Sequence, residues 1–268
     1  MKEITYSELR KIQLDILQYV NDFCLSSGIR YSLAYGTLLG AVRHGGYIPW
    51  DDDIDIAMLR EDYERFAQLF NQEQSPYHFY DCRNDKDVHI GFGKVADTRT
   101  LVEEGATTKN LGVAIDVFPI EDLCDTFEHS KKYYQSFSFF KNLVILKCRK
   151  VSDVRSWWKK PLFIATKMLT CWYPLHSITL SLTKRVMNHQ NRNSMYVGLI
   201  LGTSTKVSNI VKRSLWSEFD EIEFEGNSYM TIKDYYTYLT NEYGDYMKLP
   251  PEKERVPKHD FYKMYWLD

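Results

Sequence analysis

The segment from Tyr35 to Met58, YGTLLGAVRHGGYIPWDDDIDIAM, constrains the fold of this 268-residue chain more than any other. Its last part alternates as a β-strand, so that Asp53 and Asp55 share one face while Ile54 and Ile56 share the other. Two carboxylates on one strand face lie roughly 5–7 Å apart and, at an effective dielectric of about 20, repel each other by on the order of 2–3 kcal/mol. The pattern therefore predicts an acidic face, a core face, and a counter-charge beside the aspartates.

A divalent cation is the counter-charge that suits this pair. Hard carboxylate oxygens favour Mg²⁺ or Mn²⁺, which bind a few protein oxygens and leave positions open for phosphate. The alternative for an isolated aspartate run is a solvated acidic turn. The residues that precede the run favour the metal site.

Those residues predict a phosphate cradle. The stretch from Ile29 to Tyr35 alternates as a strand, Gly36-Thr37 forms a turn, and Leu38 to Arg43 has the composition of a short helix. Backbone N–H groups and the helix dipole at such a turn attract anions, so Gly36 and Thr37 are predicted to hold phosphate oxygens. Arg43 and His44, between the turn and the aspartates, are candidates for a phosphate ligand and an acid or base.

Asp116 is the predicted third carboxylate. It lies within the apolar strand from Val113 to Phe118, where an aspartate needs a partner. It is expected either to ligate the metal with Asp53 and Asp55 or to act as general base for an attacking hydroxyl, unless it pairs with a lysine or caps the strand. Lys94, at the end of a predicted strand from His89, is the candidate for neutralising phosphates.

These residues carry a resemblance to a known family. The run GTLLGAVRHGGYIPWDDDIDI resembles the signature of the LicD family, a branch of the nucleotidyltransferase fold that also contains the fukutin-type transferases. Further similar segments are KVAD at 94–97, AIDVFP at 114–119, and YGDYMKLPP at 243–251 with His259 beyond it.

The resemblance implies an α+β fold with a nucleotidyltransferase-like mixed β-sheet core flanked by helices and interrupted by a helical insertion. It implies transfer of phosphocholine from CDP-choline to a sugar hydroxyl of a cell-surface glycan precursor, teichoic acid or similar, with release of CMP. Such acceptors are usually carried on a lipid. Two alternatives stay open: an alditol-phosphate transferase that moves glycerol- or ribitol-phosphate with the same site, and a non-catalytic subunit that binds a glycan.

Three regions are predicted along the chain: a catalytic core at 1–124, a basic helical insertion at 125–215, and a hairpin and helix at 216–268 that return to the core. A capping box at Thr5 and Glu8 starts a first helix that Gly28 ends. A second helix follows the acidic strand, with Arg60, Glu61, Asp62, Glu64 and Arg65 expected on its solvated face.

The insertion has an unbalanced charge. Residues 131–192 contain thirteen Lys or Arg against one Asp, which indicates a surface that meets something anionic. Its Trp-Trp-Lys-Lys and Cys-Trp-Tyr runs are typical of a helix in the headgroup layer of a membrane, too interrupted to span it. The alternative is a helical unit whose aromatics face its own core. Nucleic acid is not expected, because no recognition motif accompanies the basic residues.

The N-terminal residues and the cysteines bear on location. The sequence MKEITYSELRK has no apolar run behind it that would make a signal peptide, and five scattered cysteines suggest neither disulfides nor a zinc site. We expect a cytoplasmic protein at the inner face of the cell membrane.

Overall fold

The computed structural model describes residues 1–103, 110–148, 158, 160–170, 172–189, 194–202, 207–256 and 263–267. His259 of the family pattern and Trp157 and Cys171 of the predicted membrane segment lie outside the described residues.

Strands and helices alternate up to residue 80, strands continue to residue 122, and a run of helices then precedes a last part made mainly of strands. The elements up to the longest strand are β1 (Lys2–Glu3), α1 (Tyr6–Ser27), β2 (Ser32–Leu33), α2 (Tyr35–His44), β3 (Asp55–Leu59), α3 (Arg60–Leu69), β4 (Tyr77–Tyr80), β5 (Gly93–Asp97), β6 (Thr100–Glu103) and β7 (Ala114–Asp122). The later elements are α4 (Phe127–Gln135), α5 (Ser138–Cys148), α6 (Lys160–Leu169), α7 (Leu175–Asn188), β8 (Tyr196–Gly198), β9 (Ile210–Lys212), β10 (Phe219–Phe224), β11 (Asn227–Ile232), α8 (Tyr235–Tyr243) and β12 (Lys263–Trp266).

The main sheet is mixed. Its strands run in the order β2-β3-β7-β5-β4, and β8 and β9 continue from β7. Strands β3 and β7 are parallel, whereas β5 is antiparallel to β7 and β2 is antiparallel to β3. A mixed sheet flanked by helices confirms the α+β class. The division into three regions stays a prediction. Strand β8, which lies inside the predicted insertion, pairs with the end of β7.

Helix α1 confirms the first predicted helix. The Thr5 hydroxyl accepts a hydrogen bond from the Glu8 N–H, and the Glu8 carboxylate accepts one from the Thr5 N–H, which together form the capping box. Gly28 ends the helix in the left-handed conformation at φ 61°. The buried face of α1, with Ile16, Leu17 and Val20 fully enclosed, packs against the main sheet.

The strand and helix next to the acidic run begin at different residues from those predicted. Strand β3 starts only at Asp55, so residues 51–54 are loop and the predicted pairing of Asp53 with Asp55 on one strand face is wrong. Helix α2 starts at Tyr35 rather than Leu38, because the Leu38 N–H already donates to the Ala34 carbonyl. Gly36 and Thr37 therefore lie in the first turn of the helix.

A second hydrophobic cluster lies beside the main core and belongs largely to the helical region. The described residues between 127 and 188 include the four helices α4 to α7. The cluster contains Leu123, Tyr134, Phe137, Ile178, Leu182, Val186, Ile200, Leu201 and Ile210. Among the helices, α4, α5 and α7 supply or flank this cluster, and α6 supplies none of its buried residues.

The solvated face predicted for α3 is wrong at two positions. Arg60 and Asp62 are 4% and 3% exposed. The Arg60 guanidinium donates to both oxygens of Glu121, which is 1% exposed at the end of β7, and also to Glu64 at 2.9 Å. Arg83 extends the network to Glu64 and Asp81. Sequence spacing on α3 gave no sign of Glu121, because the two residues are 61 positions apart.

Breaking the Arg60–Glu121 pair from one side is expected to be costly. In Arg60→Leu the Glu121 carboxylate keeps its burial and loses its partner, so the free energy of unfolding should fall by about 3–5 kcal/mol. Urea denaturation measures the loss. Arg65→Leu on the same helix is the matched control, since Arg65 is 52% exposed and bonds at the surface, and should cost about 1 kcal/mol or less. Equal losses in the two variants would contradict this account.

Candidate active site

Two carboxylates and a lysine lie at one level across three neighbouring strands. Asp55 is the register partner of Asp116 in the parallel β3–β7 pair, and Lys94 is the register partner of Asp116 in the antiparallel β5–β7 pair. Register partners present their side chains on the same side of a sheet. The structure therefore brings Asp55, Asp116 and Lys94 together, although they come from three separated parts of the sequence.

Lys94 is an ion-pair partner of Asp116. Its Nζ lies 2.7 Å from Asp116 Oδ1, and both side chains are 19% exposed. This contact matches the alternative in which Asp116 pairs with a lysine, and it also keeps a positive charge at the level where phosphates are expected. The predicted roles of the two residues stay predictions.

Asp51, Asp52 and Asp53 form a compact acidic loop immediately before β3. Each offers a carboxylate oxygen, and these oxygens lie within 4.8 Å of one another. Asp51 and Asp52 are each 8% exposed. In the part of the chain that the structure describes, no other group of three or more His, Cys, Asp or Glu side chains converges this closely.

Helix α1 holds the backbone of this loop from behind. The Arg10 guanidinium donates to the carbonyl of Asp51 at 3.0 Å and to those of Ile48 and Pro49 at 3.4 Å. The Gln13 amide donates to the Asp52 carbonyl at 2.9 Å, and the Tyr6 hydroxyl donates to the Asp51 carbonyl at 2.8 Å. These bonds engage carbonyl oxygens, so they fix the backbone of the loop.

The start of α2 meets the acidic residues from the other side. A Cβ on Gly36 would overlap the Asp51 carboxylate, so only glycine lets that carboxylate approach the positive end of the helix. The Thr37 hydroxyl accepts a hydrogen bond of 2.8 Å from the Asp55 N–H and so fixes the start of β3. Phosphate binding by Gly36 and Thr37 stays a prediction.

Tyr35 adds local strain at the same turn. Its φ of 44° lies in the left-handed region that a bulky residue rarely adopts. Its ring is wedged between Phe118 at 5.3 Å and Tyr238 of α8 at 6.1 Å, measured between ring centroids. Burial raises the pKa of Tyr35, and Tyr238 and Asp55 add to the rise. Aromatic side chains thus form one wall beside Asp55.

The pKa of Asp55 is raised well above its ordinary value. Burial is the main cause, and the charges of Asp53, Asp116 and Asp51 add to it, while Lys94 acts in the opposite direction. The acidic loop, through Asp51 and Asp53, and the neighbouring strand, through Asp116, therefore act together on the pKa of Asp55. Of the neighbouring charges that act on the pKa of Asp55, three aspartates raise it and one lysine lowers it.

This arrangement fits a hard divalent cation. The candidate donors are carboxylate oxygens, the kind that Mg²⁺ and Mn²⁺ prefer. Asp53, Asp116 and Asp51 each act electrostatically on Asp55, and the Asp52 carboxylate lies beside those of Asp51 and Asp53.

Arg43 and His44 lie at the other end of α2, about 10 Å along the helix axis from Gly36. Arg43 donates to the Tyr246 carbonyl at 2.9 Å and to the His44 ring at 3.0 Å. The pKa of His44 is lowered by burial and by the charge of Arg43. Arg43 thus ties the C-terminal region to α2, and a role for either residue in substrate binding stays a prediction.

Some residues of the site were not singled out from the sequence. Asp51 and Asp52 were visible as part of the aspartate run, but strand alternation drew attention to Asp53 and Asp55 instead. Arg10 and Gln13 read as the polar positions of an amphipathic helix, and only the tertiary structure shows what they hold. Tyr238 was one of twenty tyrosines without a distinguishing spacing.

Comparison with known proteins agrees with this geometry. Residues 28–155 match the LicD/FKTN/FKRP nucleotidyltransferase domain. This range includes every element of the site from α2 to β7. The lipopolysaccharide cholinephosphotransferase LicD of Haemophilus influenzae is 29% identical over 267 residues, which is 97% of each chain. The human ribitol 5-phosphate transferase FKRP is 45% identical over 56 residues, which is 21% of this chain and 11% of FKRP.

The family match covers the strands that align Asp55, Asp116 and Lys94, and the match to the Haemophilus protein extends over nearly the whole chain. The chain therefore carries, at residues 28–155, a nucleotidyltransferase domain of the LicD family.

Proposed function

We propose that this protein transfers phosphocholine from CDP-choline to a sugar hydroxyl of a cell-surface glycan precursor, such as a lipopolysaccharide or teichoic acid precursor, and releases CMP. The observation that carries the proposal is similarity over 97% of both chains to a lipopolysaccharide cholinephosphotransferase. The crowded carboxylates around Asp55 support it, because they suit a phosphate-bound divalent cation.

The reaction is a substitution at phosphorus. The acceptor oxygen forms a bond to the phosphorus that bears choline, and the bond from that phosphorus to the CMP oxygen breaks, so CMP leaves with the electron pair. The hydroxyl proton passes to a carboxylate of the site, for which Asp116 is the candidate because it lies at the level of Asp55 on the neighbouring strand.

Asp53, Asp55 and Asp116, with Asp51 beside them, would hold Mg²⁺ or Mn²⁺. The ion supplies neutralisation of the donor pyrophosphate and of the leaving CMP. The protein's own part is to keep these carboxylates crowded: Arg10 and Gln13 fix the loop, and Thr37 fixes the start of β3. Lys94 provides a positive charge beside the reacting phosphates.

An alditol-phosphate transferase is the second candidate. A segment of 56 residues, which covers 21% of this chain, is 45% identical to the human ribitol 5-phosphate transferase FKRP. The same site would then act on CDP-ribitol or CDP-glycerol. The third possibility, a glycan-binding subunit without activity, accords poorly with retention of carboxylates that repel one another.

The first test measures CMP release from CDP-choline, CDP-ribitol and CDP-glycerol with Mg²⁺ and a lipid-linked glycan acceptor. We expect release from CDP-choline and a loss of at least about 100-fold in Asp53→Asn, because the substitution removes one charge from the metal-binding set. The exposed Asp15→Asn on α1 is the matched control and should keep full activity.

The donor that reacts decides between the candidates. Release from CDP-ribitol or CDP-glycerol instead of CDP-choline would keep the site and change the substrate. A folded Asp53→Asn protein with normal turnover would show that the acidic loop is not catalytic. Failure of every donor, together with no heat of Mg²⁺ or Mn²⁺ binding in calorimetry, would favour the binding subunit.

The raised pKa of Asp55 predicts a stability change in the protein freed of metal with EDTA. Because its folded-state pKa exceeds the unfolded value of about 4, the folded protein binds the extra proton, and stability falls as pH rises above that value. Asparagine at this position does not titrate. Asp55→Asn should therefore be more stable than the unsubstituted protein at pH 8, by about 0.5–2 kcal/mol, and the difference should shrink toward pH 4.

Thermal and urea unfolding at pH 4.5 and pH 8 measure this difference. Adding Mg²⁺ at pH 8 should stabilise the unsubstituted protein and leave Asp55→Asn nearly unchanged, since only the former retains the full ligand set. A variant that is less stable at both pH values would mean that Asp55 contributes to the fold rather than to a charge-crowded site.

A further inference from the structure

Helix α6 has its apolar side turned outward. None of its ten residues is buried. At 100° per residue, the exposed residues fall within one arc of about 160°, and all of them are apolar. We call this arc the α6 face. It consists of Pro161, Leu162, Ile164, Ala165, Met168 and Leu169. The remaining arc carries the half-buried residues Lys160, Phe163, Thr166 and Lys167.

This arrangement is the reverse of an ordinary surface helix, which turns its apolar stripe inward. The exposed fractions are large: 71% for Leu162, 68% for Met168 and 81% for Leu169. Single exposed apolar side chains are common, but a continuous apolar face of a helix marks a surface that contacts something else.

Exposed aromatic residues flank α6 in the sequence. Trp158 is 63% exposed before the helix, and Trp172 and Tyr173 are 87% and 68% exposed after it. Tryptophan and tyrosine are the side chains that favour the boundary between lipid and water, because each joins an apolar ring to a polar group.

The charged side chains from residue 131 to residue 189 have one sign in the described residues. The described residues between 131 and 189 include eight Lys or Arg and no Asp or Glu. Lys160 and Lys167 border the apolar arc on the helix itself, where long stems can lie along an apolar surface while their ammonium groups reach its polar edge. The complementary partner is therefore both apolar and anionic.

The α6 face is attached firmly to the rest of the protein. Lys147 of α5 donates through its Nζ to the Thr170 carbonyl just after α6. Helix α7, which follows, is fixed to the core: the Thr179 hydroxyl donates to the His89 carbonyl at 2.9 Å, and the His176 ring bonds the Cys82 carbonyl at 2.8 Å. A partner bound at α6 is thus held to the domain that carries the acidic residues.

A second copy of the chain fits this face poorly. A symmetric contact between two α6 faces would bring the lysines that border them, Lys160 and Lys167 of both copies, to one interface. Like charges oppose such a contact. A helix of ten residues is about 15 Å long, half the thickness of a bilayer core. Among the described helices, none has the length and apolar content needed to cross a membrane.

We propose that the α6 face, with Trp158, Trp172 and Tyr173, is a docking surface for an anionic phospholipid bilayer. The helix lies in the plane of the membrane with its apolar side chains among the upper acyl chains and Lys160 and Lys167 at the headgroups. This inference rests on exposure and charge alone and stands whether or not the proposed reaction is correct.

Sedimentation with vesicles tests the proposal without any donor or acceptor. The full chain is mixed with vesicles of phosphatidylcholine alone and of phosphatidylcholine with 30% phosphatidylglycerol, where the composition sets an anionic surface of roughly physiological strength. We expect binding to the anionic vesicles, weakened by added salt, and a drop of about tenfold or more in the partition coefficient of Leu169→Glu. Leu25→Glu is the matched control, because Leu25 is also exposed, at 58%, near the C-terminal end of a helix.

Several results would overturn the proposal. One is an absence of binding to anionic vesicles; another is equal binding by Leu169→Glu and Leu25→Glu when circular dichroism shows both to be folded. A dimer in solution that Leu169→Glu dissociates, without vesicle binding, would assign the face to a second copy of the chain. A third variant, Lys167→Glu, separates the charge from the apolar contribution: it should lower binding to anionic vesicles and leave the apolar face intact.

Discussion

The register between β3 and β7 is the constraint on which the rest of the structure depends. Their parallel pairing sets Asp55 opposite Asp116 at one end, and the same offset of 61 residues joins Arg60 to Glu121 just beyond the other end. One end therefore concentrates negative charge, whereas the other buries a matched ion pair. Because a slip of one residue would turn every side chain of β3 to the opposite face, the Arg60–Glu121 pair also specifies the alignment that the site needs.

Keeping the carboxylates around Asp55 close together lowers the stability of the fold, because like charges repel one another. Arg10 and Gln13 approach the acidic loop yet bind its carbonyls, and Gly36 lets Asp51 come close to the helix where any larger residue would push it away. Lys94 offsets only part of the charge around Asp55. Neutral residues would pack here at lower cost, and the proposed cation and phosphate donor would account for the crowding.

Local pattern was enough to find the individual groups of the site, and long-range pairing decided how they combine. Asp116 stood out as a polar residue within an apolar strand and Lys94 as a charge at the end of another, and the structure places Lys94 Nζ 2.7 Å from Asp116 Oδ1. The loop at residues 51–54 was mistaken for strand because alternation continues through it, whereas its backbone is held by α1 from about forty positions away. Arg60 was assigned to solvent for the same reason: it lies on α3, whereas its partner Glu121 lies on β7. Short-range periodicity carries no information about such contacts.

Helix α6 differs from the other helices of its region in its relation to the second hydrophobic cluster. Leu123, at the end of β7, and residues of α4 and α7 enclose that cluster, and α6 adds no buried side chain to it. A helix that contributes nothing to the core gains little stability from its own apolar residues, and leaving them in water costs solubility. The proposed bilayer contact would account for its outward face. A bilayer at α6 would hold the acidic site near a surface, where a lipid-linked acceptor meets it at a raised effective concentration.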